Sequence, residues 1–462
     1  MPSFNGEIIG LYLWASGLIL ITALLVKYGT EKMSLNGETG RKLLHIVAIL
    51  TCGYVVRQSE QTNLLAIIFF VFFIILLFVA HYELLLANER RSYGIALFPL
   101  AFSILLLTPL EKDAILFGIV TLGISDALAG WAGQKLNVKK HTFLYEDKSW
   151  SGFFVFYIST VFISLVFIGI TPAILILALI PALSELFSFR GSDNLTIPLI
   201  AAFWYQTLQR TEILTIHWYI IFILVIALVL AGKKKWLNSS GMAAALLLGV
   251  IIIFSGNIFF LIPIGVFFIA GSITSGLHKG QKDAAGRNAF QVFANGWVAV
   301  TCIWIYEATK NEIFLIGYLI SIAISFADTM SSDIGLYFKH KTYDILTFRS
   351  MKPGLSGGVS YSGTLAGFTA SILFSVLCCF LFDLTTDQCI LIAASGVIGM
   401  TTDSILGSVW QAKYLEEGQL TEEKGSNVKL VKGVKWLDND GVNFICNLFV
   451  TIVFLAVGYI FF

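Results

Sequence analysis

The sequence predicts an all-α polytopic integral membrane protein, with about 14–16 transmembrane segments in two fused helical bundles. Of its 462 residues, 57% are hydrophobic and only 13% are charged, whereas soluble domains carry roughly 25% charged residues. Apolar runs of the roughly 17–25 residues needed to cross a bilayer recur throughout the chain. Only helices and closed barrels satisfy the backbone in lipid, and these runs are too long and too uniformly apolar for barrel strands.

The apolar runs place the individual helices. Ile8–Val26 lacks a preceding basic stretch and a small-residue cleavage site, so we predict a membrane helix there and not a signal peptide. Four later runs predict helices clearly, and these are Leu64–Ala80, Trp218–Ala231, Phe259–Ala270 and Val442–Phe462. The basic run Lys233-Lys234-Lys235 separates two halves of similar length. We place the domain boundary at this run, which gives domains 1–232 and 233–462.

The distribution of basic residues predicts the orientation. All but four of the 30 Lys and Arg residues fall on alternate connections, among them 90–91, 135–148, 279–287 and 339–352. By the positive-inside rule this face is cytosolic, so we expect an integral membrane protein of a bacterial inner membrane with its sites facing the cytoplasm. The formal net charge of +1 carries no information about an acidic partner, and we expect no nucleic acid partner. The sequence does not fix an oligomeric state.

The cysteines predict no covalent framework. The six are at positions 52, 302, 378, 379, 389 and 446, in or beside apolar runs and without a CxxC pair. We therefore expect small buried apolar side chains at these positions, and neither disulfides nor a metal site.

Two stretches repeat one polar pattern near the end of an apolar run. Each has an aspartate, a glycine seven residues later, a lysine, and then a turn of small residues. The first copy comprises Asp126, Gly133, Lys148, Ser149 and Gly152. The second copy comprises Asp328, Gly335, Lys352, Ser356, Gly357 and Gly358. Because packing alone rarely repeats a polar pattern inside a membrane protein, we interpret the two copies as two sites.

The residue types in this pattern favour phosphate chemistry. Glycines let backbone N–H groups approach phosphate oxygens, lysines neutralise the transferring group, and carboxylates hold Mg²⁺. The sequence contains no GxxxxGK[ST] and no HExxH motif, so it has neither a P-loop nor that zinc site. Two plainer interpretations stay open: glycines and serines that only pack helices, and aspartates that line a pore or relay protons.

The first half resembles the integral-membrane CTP-dependent lipid kinases, the family of dolichol kinase, phytol kinase and fungal diacylglycerol kinase. The resemblance covers roughly residues 35–210 and rests on Arg41, Lys42, His45, Asp126, Ala127, Ala129, Gly133, Lys148, Ser149, Gly152, Glu185, Asp193, Asn194 and Pro198. It implies CTP as the phosphoryl donor and a membrane alcohol as the acceptor. Ser125 and Gly130 depart from the residues more common in that family.

The second half resembles the transmembrane protein 19 family, which includes the phytyl-phosphate kinase of tocopherol synthesis. Here the resemblance covers roughly residues 238–462 and rests on Arg287, Asn288, Asn295, Asp328, Asp333, Gly335, Ser356, Gly357, Gly358, Asp403, Gln411, Asn439, Asp440 and Asn443. It implies a kinase that acts on a prenyl monophosphate. Asp333 stands where that family usually has Glu, and Leu355 where it usually has Thr.

Together the two resemblances predict a bifunctional membrane kinase. We expect it to phosphorylate a prenyl alcohol such as phytol, geranylgeraniol or farnesol to its monophosphate and then to its diphosphate, using CTP or another nucleoside triphosphate with Mg²⁺. Alternatives are a phosphatidate cytidylyltransferase or CDP-alcohol transferase, and a transporter built from repeats.

The same reasoning assigns the candidate site residues. Those expected to be catalytic are Asp126, Lys148, Asp328 and Lys352. Those expected to bind the nucleotide or phosphate are Arg41, Lys42, His45, Ser149, Gly152, Arg287, Asn288, Asn295, Ser356, Gly357 and Gly358. Those expected to bind the metal are Asp126, Glu185, Asp193, Asn194, Asp328, Asp333, Asp403, Asn439 and Asp440.

Overall fold

A computed structural model describes residues 6–32, 37–81, 94–135, 140–142, 147–188, 191–211, 213, 215–255, 258–277, 286–416, 419–423 and 429–461. The expected basic connection at 90–91 and residues 279–285 of the one at 279–287 lie outside these residues. The chain divides into two compact units, Met1–Leu214 and Thr215–Phe462. This division precedes the helix that ends at Lys233, whereas the sequence analysis placed the domain boundary after it.

The first unit is built from nine α-helices within its described residues. In chain order these are α1 (Gly6–Lys32), α2 (Gly37–Gln58), α3 (Thr62–His81), α4 (Gly94–Leu107), α5 (Lys112–Thr121), α6 (Ala127–Lys135), α7 (Trp150–Ile168), α8 (Ala173–Leu186) and α9 (Asp193–Arg210). A short antiparallel pair, β1 (Lys140–Thr142) and β2 (Asp147–Ser149), precedes α7. A π-helical turn, Leu122–Asp126, joins α5 to α6 without breaking the helix.

The π-helical turn lies in the core of the first unit, where α2, α7 and α9 pack against it. Its residues Leu122, Gly123 and Ser125 are buried. A π-helical turn rotates the side chains that follow it and is frequent at functional sites. The turn ends at Asp126. The candidate catalytic acid therefore lies where the π-helical turn passes into α6, inside the packed unit.

The second unit contains eight α-helices within its described residues. These are α10 (Thr215–Lys233), α11 (Ser239–Phe254), α12 (Leu261–Leu277), α13 (Ala289–Thr309), α14 (Glu312–Phe338), α15 (Tyr361–Phe382), α16 (Thr386–Val409) and α17 (Asn439–Phe461). Helix α14 is central, because α12, α13, α15, α16 and α17 all pack on it. Its apolar residues from Leu315 to Ala327 are almost all buried.

Two small sheets follow helices of the second unit. The first has the order β4-β3-β5, with β3 (Thr342–Asp344), β4 (Ser350–Met351) and β5 (Gly358–Val359), and leads into α15. The second has the order β7-β6-β8, with β6 (Lys413–Glu416), β7 (Gln419–Thr421) and β8 (Lys429–Lys432), and lies between α16 and α17. All pairings in both sheets are antiparallel.

The helices confirm the predicted fold class. Among the described residues, eleven helices are long and apolar enough to cross a membrane, and four shorter helices are also apolar. The protein is therefore an all-α polytopic integral membrane protein, whose described strands have only two to four residues each.

One expectation about the cysteines is wrong. Cys379 and Cys389 form a disulfide with a Cα–Cα distance of 6.1 Å. Cys379 lies near the end of α15 and Cys389 near the start of α16, and the turn between these helices brings the two side chains together. A search for CxxC spacing misses a pair formed across a helical hairpin. Cys302, Cys378 and Cys446 are buried free thiols, as expected.

Candidate functional site

A polar cavity of about 320 Å³ lies in the second unit, beside the cytosolic end predicted for α14. Four carboxylates line it: Asp328 and Asp333 from α14, Asp403 from α16, and Asp440 from the first turn of α17. The chain therefore brings all four aspartates predicted for this half to one place, from three helices. Because the cavity is small and polar, it suits a phosphate group and an ion better than an apolar chain.

Arg287 faces these acids through a chain of hydrogen bonds. Its Nη2 donates to Ser275 Oγ at 3.1 Å, and Ser275 Oγ donates to Asp333 Oδ2 at 2.8 Å. Thr274 Oγ1 donates to the same carboxylate oxygen at 2.8 Å. Asp333 is thus held by two hydroxyl groups of α12, and the guanidinium charge lies within reach of the cavity.

Backbone contacts fix the position of Arg287. Its N–H donates to Trp236 O at 3.0 Å, and its carbonyl accepts from Asn238 N at 3.0 Å. Gly286 has φ +78°, and a Cβ there would come within 3.0 Å of the backbone of Leu237. The basic run that ends at Lys235 is therefore part of the site, since Lys235 also lines the cavity.

Asp403 is held by the start of α17. In the orientation that its hydrogen-bonding neighbours require, the side-chain amide of Asn443 donates to Asp403 Oδ1 at 3.1 Å and to Asn439 O at 3.0 Å. Asp403 and Asp328 are close enough to interact electrostatically. Two neighbouring carboxylates repel each other in apolar surroundings when both are charged. The pair of Asp328 and Asp403 therefore favours a cation or a proton between the two groups.

A glycine-rich loop between β4 and β5 forms another wall of the cavity. Gly354 has φ +89° and Gly357 has φ +86°, a region that glycine adopts readily. A Cβ on Gly357 would lie 2.7 Å from Ser408 Cα, so the loop packs directly on the end of α16. Ile345 N donates to Gly357 O at 2.9 Å and anchors the loop to the end of β3.

Asp344 secures the same loop from the side of the first small sheet. Its Oδ2 accepts from Ser408 Oγ at 2.7 Å, and its Oδ1 accepts from Thr347 N at 2.8 Å and Leu346 N at 3.1 Å. Burial opposes ionisation of this carboxyl group, but the hydrogen bonds outweigh burial and lower its pKa to about 2. Asp344 therefore stays ionised and holds the turn that follows β3.

Two predicted residues of the second half do not reach the cavity. Lys352 is exposed and is not among the cavity-lining residues. Asn288 forms the N-cap of α13, where its side chain and that of Gln291 make a reciprocal capping box. Asn295, Ser356, Gly357 and Gly358 do line the cavity, as does Asn439.

Other residues at the site escaped the sequence analysis. Lys413 Nζ donates to Ser356 O at 2.6 Å, and Glu422 accepts from Ser356 N at 2.7 Å. Lys413 begins β6 and Glu422 follows β7, at 57 and 66 residues from Ser356 in sequence. No local pattern relates residues so far apart. Lys413 lies in a further basic connection, 413–435, which served only to predict the orientation.

In the first unit, Lys148 is bound by a carboxylate and a hydroxyl. Its Nζ lies 2.6 Å from Glu185 Oε1 and donates to Ser188 Oγ at 2.9 Å. Burial would lower the pKa of Lys148, but the charges of Glu185, Asp193 and Asp126 and the hydrogen bond to Glu185 outweigh burial and raise it. The predicted acids of this half therefore surround a lysine that keeps its charge.

Asp126 lies within the same group. Its Oδ2 is 3.8 Å from His45 Nε2, and it interacts electrostatically with Asp193, Glu185 and Arg41. Lys42 approaches the same helix, since a Cβ on Gly130 would lie 3.3 Å from Lys42 Nζ. Arg41 and His45 of α2 thus lie near Asp126, and Lys42 lies against the helix that follows it.

Asn194 has a structural contact at the start of α9. Its amide nitrogen donates to Gly94 O at 2.9 Å, at the beginning of α4. Its backbone N–H donates to Asp193 Oδ1 at 2.9 Å. The side-chain oxygen of Asn194 is the atom that could still serve as a ligand.

The repeated pattern has a common geometry in the two units. In the first, Ser149 caps α7, accepts from Gly152 N at 3.1 Å, and lies against Gly133. In the second, Ser360 caps α15, accepts from Gly363 N at 3.2 Å, and lies against Gly335. A Cβ on Gly152 would approach Ala129 O, and one on Gly363 would approach Ser331 O, each three residues after the aspartate. The capping serine therefore packs on the glycine that follows the acid in both units.

This geometry changes the pairing between the two copies. Ser149 and Gly152 correspond to Ser360 and Gly363, not to Ser356 and Gly357. The residue before the capping serine is Lys148 in the first unit and Val359 in the second. Lys352 is therefore not the structural counterpart of Lys148.

The remaining acids also correspond in the order of elements. Glu185 lies near the end of α8 and Asp193 at the start of α9, just as Asp403 lies in the second half of α16 and Asp440 at the start of α17. Helices α5 and α6 pack with α7 and α9 as α14 packs with α15 and α17. Both units thus assemble three acids from the same three positions in a helical repeat.

The acids leave metal ligation incomplete. Within the described parts of the chain, no group of three or more His, Cys, Asp or Glu side chains is arranged to hold a metal ion. Mg²⁺ usually takes one or two protein carboxylates and completes its shell with waters and substrate phosphates. The pairs Asp328–Asp403 and Asp126–Glu185 fit that mode of binding.

A family model matches most of the second unit. The family model described as integral membrane protein DUF92 matches residues 222–451. An uncharacterized membrane protein of Methanocaldococcus jannaschii is 31% identical over 200 residues, which cover 42% of this chain and 82% of that protein. The chain belongs to the DUF92 family. No solved structure matches it.

Two plant proteins extend the comparison of this DUF92 protein. "Protein VTE6, chloroplastic" of Arabidopsis thaliana is 30% identical over 240 residues, covering 49% of this chain and 65% of that protein, less than two thirds of its length. "Protein PGR" of the same plant is 29% identical over 248 residues, covering 46% of this chain and 86% of that protein. The DUF92 match lies in the second half, so the resemblance of the first half to CTP-dependent lipid kinases stays a prediction.

Proposed function

We propose that this DUF92 protein is a bifunctional membrane phosphotransferase. The first unit transfers a phosphoryl group from CTP, or another nucleoside triphosphate, to a prenyl alcohol. The second unit transfers a phosphoryl group to the resulting prenyl monophosphate and yields the diphosphate. Phytol, geranylgeraniol and farnesol are the acceptors to test first.

The observation that carries the proposal is the polar cavity of the second unit. It combines four aspartates from three helices with Arg287, Lys235 and a glycine-rich loop. The acids suit a divalent cation, and the cations and backbone N–H groups suit phosphate oxygens. The resemblance of this half to the family that includes phytyl-phosphate kinase supplies the class of acceptor.

The second reaction is an in-line phosphoryl transfer. An oxygen of the prenyl monophosphate attacks the γ-phosphorus, a new P–O bond forms, and the bond from that phosphorus to the β,γ-bridging oxygen breaks to release the nucleoside diphosphate. Arg287 would neutralise charge on the transferring group. Asp328 and Asp403 would hold Mg²⁺, which when bound supplies charge stabilisation to the phosphates. The exposed Lys352 has no part in this version of the site.

The first reaction uses the corresponding positions of the first unit. Lys148, held by Glu185 and Ser188, would contact the transferring phosphoryl group. Asp126 would orient the acceptor hydroxyl or bind Mg²⁺ with Glu185. His45 and Arg41 on α2 would lie beside the nucleotide phosphates. The hydroxyl oxygen attacks the γ-phosphorus and a new P–O bond forms, while the bond from that phosphorus to the β,γ-bridging oxygen breaks to release the nucleoside diphosphate. The hydroxyl proton passes to Asp126 or to solvent.

The test is turnover of a purified full chain with geranylgeraniol or phytol, CTP and Mg²⁺, resolving mono- from diphosphate. We expect diphosphate from wild type, monophosphate only from Asp328→Asn, and neither product from Asp126→Asn. Supplied prenyl monophosphate should restore diphosphate formation by Asp126→Asn. Each substitution should lower the rate of its own step by about 10²-fold or more.

Asp383→Asn is the matched control, because Asp383 is an exposed C-cap at the far end of α15 and should leave both steps unchanged. The proposal fails if wild type forms no phosphorylated lipid with any nucleoside triphosphate. Release of pyrophosphate or CMP in place of CDP would instead indicate a cytidylyltransferase or a CDP-alcohol transferase.

A further inference from the structure

We propose that Ser356, Gln411 and Lys413 form a phosphate-binding site at the edge of the second unit's cavity, for which the carboxylate of Glu422 competes. The inference rests on the proposed function for the source of the phosphate, a nucleotide or a prenyl monophosphate. Its geometry rests only on contacts within the second unit.

Three donors converge on the Glu422 carboxylate. Ser356 N donates to Oε1 at 2.7 Å, Ser356 Oγ donates to Oε2 at 3.1 Å, and Gln411 Nε2 donates to Oε2 at 2.8 Å. A backbone N–H, a hydroxyl and an amide directed at one anion are the donor types that bind phosphate oxygens. A carboxylate and one edge of a phosphate group present oxygens of similar charge and spacing.

Two side chains of the proposed site, Gln411 and Lys413, are buried. Gln411 is 1% exposed and Lys413 is 4% exposed. Lys413 Nζ donates to Ser356 O at 2.6 Å, which fixes the serine backbone whose N–H faces Glu422. Burial lowers the pKa of Lys413, and the Glu422 carboxylate opposes that shift. An anion in this place therefore helps Lys413 to keep its charge.

Ser356 connects this anion site to the proposed active site. It lines the same cavity as Asp328, Asp403 and Arg287. Gly357, which follows it, packs on Ser408 and keeps the serine at the cavity wall. A phosphate bound to Ser356 would thus lie at the cavity edge, where a second phosphate in the cavity can be linked to it. The site therefore suits a diphosphate or a transferring phosphoryl group.

Glu422 is placed to leave the site. It follows β7, at the margin of a sheet of three strands with three or four residues each. Sheets this small gain little stability from their own pairing. By contrast, the donors belong to a loop anchored on α16 and to residues that begin the same sheet beside α16. Movement of the segment after β7 would carry Glu422 away and expose the donors, while the donors kept their positions.

A fixed structural anchor is the other explanation of Glu422, and it predicts the opposite effect on binding. If Glu422 only positions Ser356, its removal should weaken phosphate binding, because the N–H donor loses its orientation. If Glu422 competes with phosphate, its removal should strengthen binding. The sign of the change separates the two explanations.

The experiment measures binding of CDP and of farnesyl monophosphate to the full chain in detergent by calorimetry. We expect Glu422→Ala to bind at least one ligand on the order of tenfold more tightly than wild type, since charge-assisted hydrogen bonds no longer compete. Glu422→Gln should fall between them. Glu416→Ala, an exposed glutamate of the same sheet, should match wild type. The ligand whose affinity rises identifies the source of the phosphate.

Lys413→Met provides the opposing change and should weaken the same ligand's binding at least severalfold; its melting curve shows whether it folds. The proposal is overturned if both Glu422 variants bind CDP and farnesyl monophosphate no more tightly than wild type. It is also overturned if neither wild type nor any variant binds either ligand. Because no turnover is involved, this result is distinct from failure of the kinase assay. A protein that binds CDP more tightly after Glu422→Ala but never phosphorylates a lipid would retain the phosphate site and lose the proposed reaction.

Discussion

Single side chains at the site are held by other residues before they meet any ligand. Asp333 is bound by two hydroxyl groups, Asp403 by Asn443, and Asp344 by Ser408 and the turn after β3. Prior fixing of this kind keeps functional groups in position, because little orientational freedom is lost on binding. Asp344 is the member of this group whose contribution can be measured without a substrate.

We expect Asp344→Asn to lower the thermal stability of the protein in detergent in a pH-dependent way. The carboxylate accepts bonds that favour its ionised form. Such bonds contribute about 1.5–3 kcal/mol for charged groups, and solvent screening lowers this contribution at a position as open as Asp344. Its pKa of about 2 lies below the value near 3.8 of an unperturbed Asp. The contribution is therefore full above about pH 4 and is lost as pH falls toward 2.

Melting temperatures of wild type and variant between pH 7 and pH 3 check this expectation. The gap should be constant from pH 7 to 5 and narrow below 4. Asp383→Asn controls for removal of a carboxylate from an exposed position. A gap that widens on acidification would show that the bonds to Asp344 do not favour its charged form.

At the scale of the helices, close contact between neighbours depends on glycine. A Cβ on Gly363 would lie 2.6 Å from Ser331 O, in backbone that cannot rotate away. Gly152, its counterpart in the first unit, has more room, with Ser149 Oγ at 3.2 Å and Ala129 O at 3.4 Å. The same substitution should therefore have unequal effects in the two copies.

We expect Gly363→Ala to destabilise the protein by about 1–3 kcal/mol, as overpacking usually does. Gly152→Ala should cost less. Gly265→Ala in α12 is the control, since nothing lies within 4 Å of its added methyl group, and alanine favours a helix over glycine by roughly 0.5–1 kcal/mol. Thermal unfolding in one detergent ranks the three, and equal melting temperatures for Gly363→Ala and Gly265→Ala would contradict the packing argument.

The sequence predicted the helices better than it predicted which residues correspond between the two copies of the polar pattern. The recurrence of an aspartate followed by a glycine seven residues later identified Asp126 and Asp328, because helix spacing is preserved inside a buried helix. The loops differ in length, so Lys148 was matched to Lys352 by type, although Val359 occupies its structural position. Glu422 and Lys413 had no sequence signal, since their contact with Ser356 depends on how a small sheet lies on α16.

For the molecule in its membrane, the second unit makes the predicted orientation testable. Lys352 lies before α15 on the side of the cavity, and Thr309 ends α13, whose opposite end begins beside Arg287. Both residues are exposed. A helix of 21 residues spans about 30 Å, so the two positions should lie on opposite sides of the bilayer.

We expect a cysteine at Lys352 to react with an impermeant maleimide only in inverted vesicles. A cysteine at Thr309 should react only in right-side-out vesicles, because the basic connections are predicted to be cytosolic. Wild type is the background control and reports any labelling of the partly exposed Cys52, since Cys302, Cys378 and Cys446 are buried. Labelling of the Lys352 position in right-side-out vesicles would show that the orientation is opposite to the predicted one. The cavity would then face away from cytosolic nucleotides.

The Cys379–Cys389 bond joins α15 to α16 at the end of α15 opposite the capping Ser360. Disulfides persist where the surroundings are oxidising and are rare where glutathione and thioredoxin keep thiols reduced. We therefore expect the two ends of α15 to face compartments of different redox character, with the bonded end on the oxidising side. This expectation is independent of the count of basic residues, and it favours a cavity on the reducing side of the membrane.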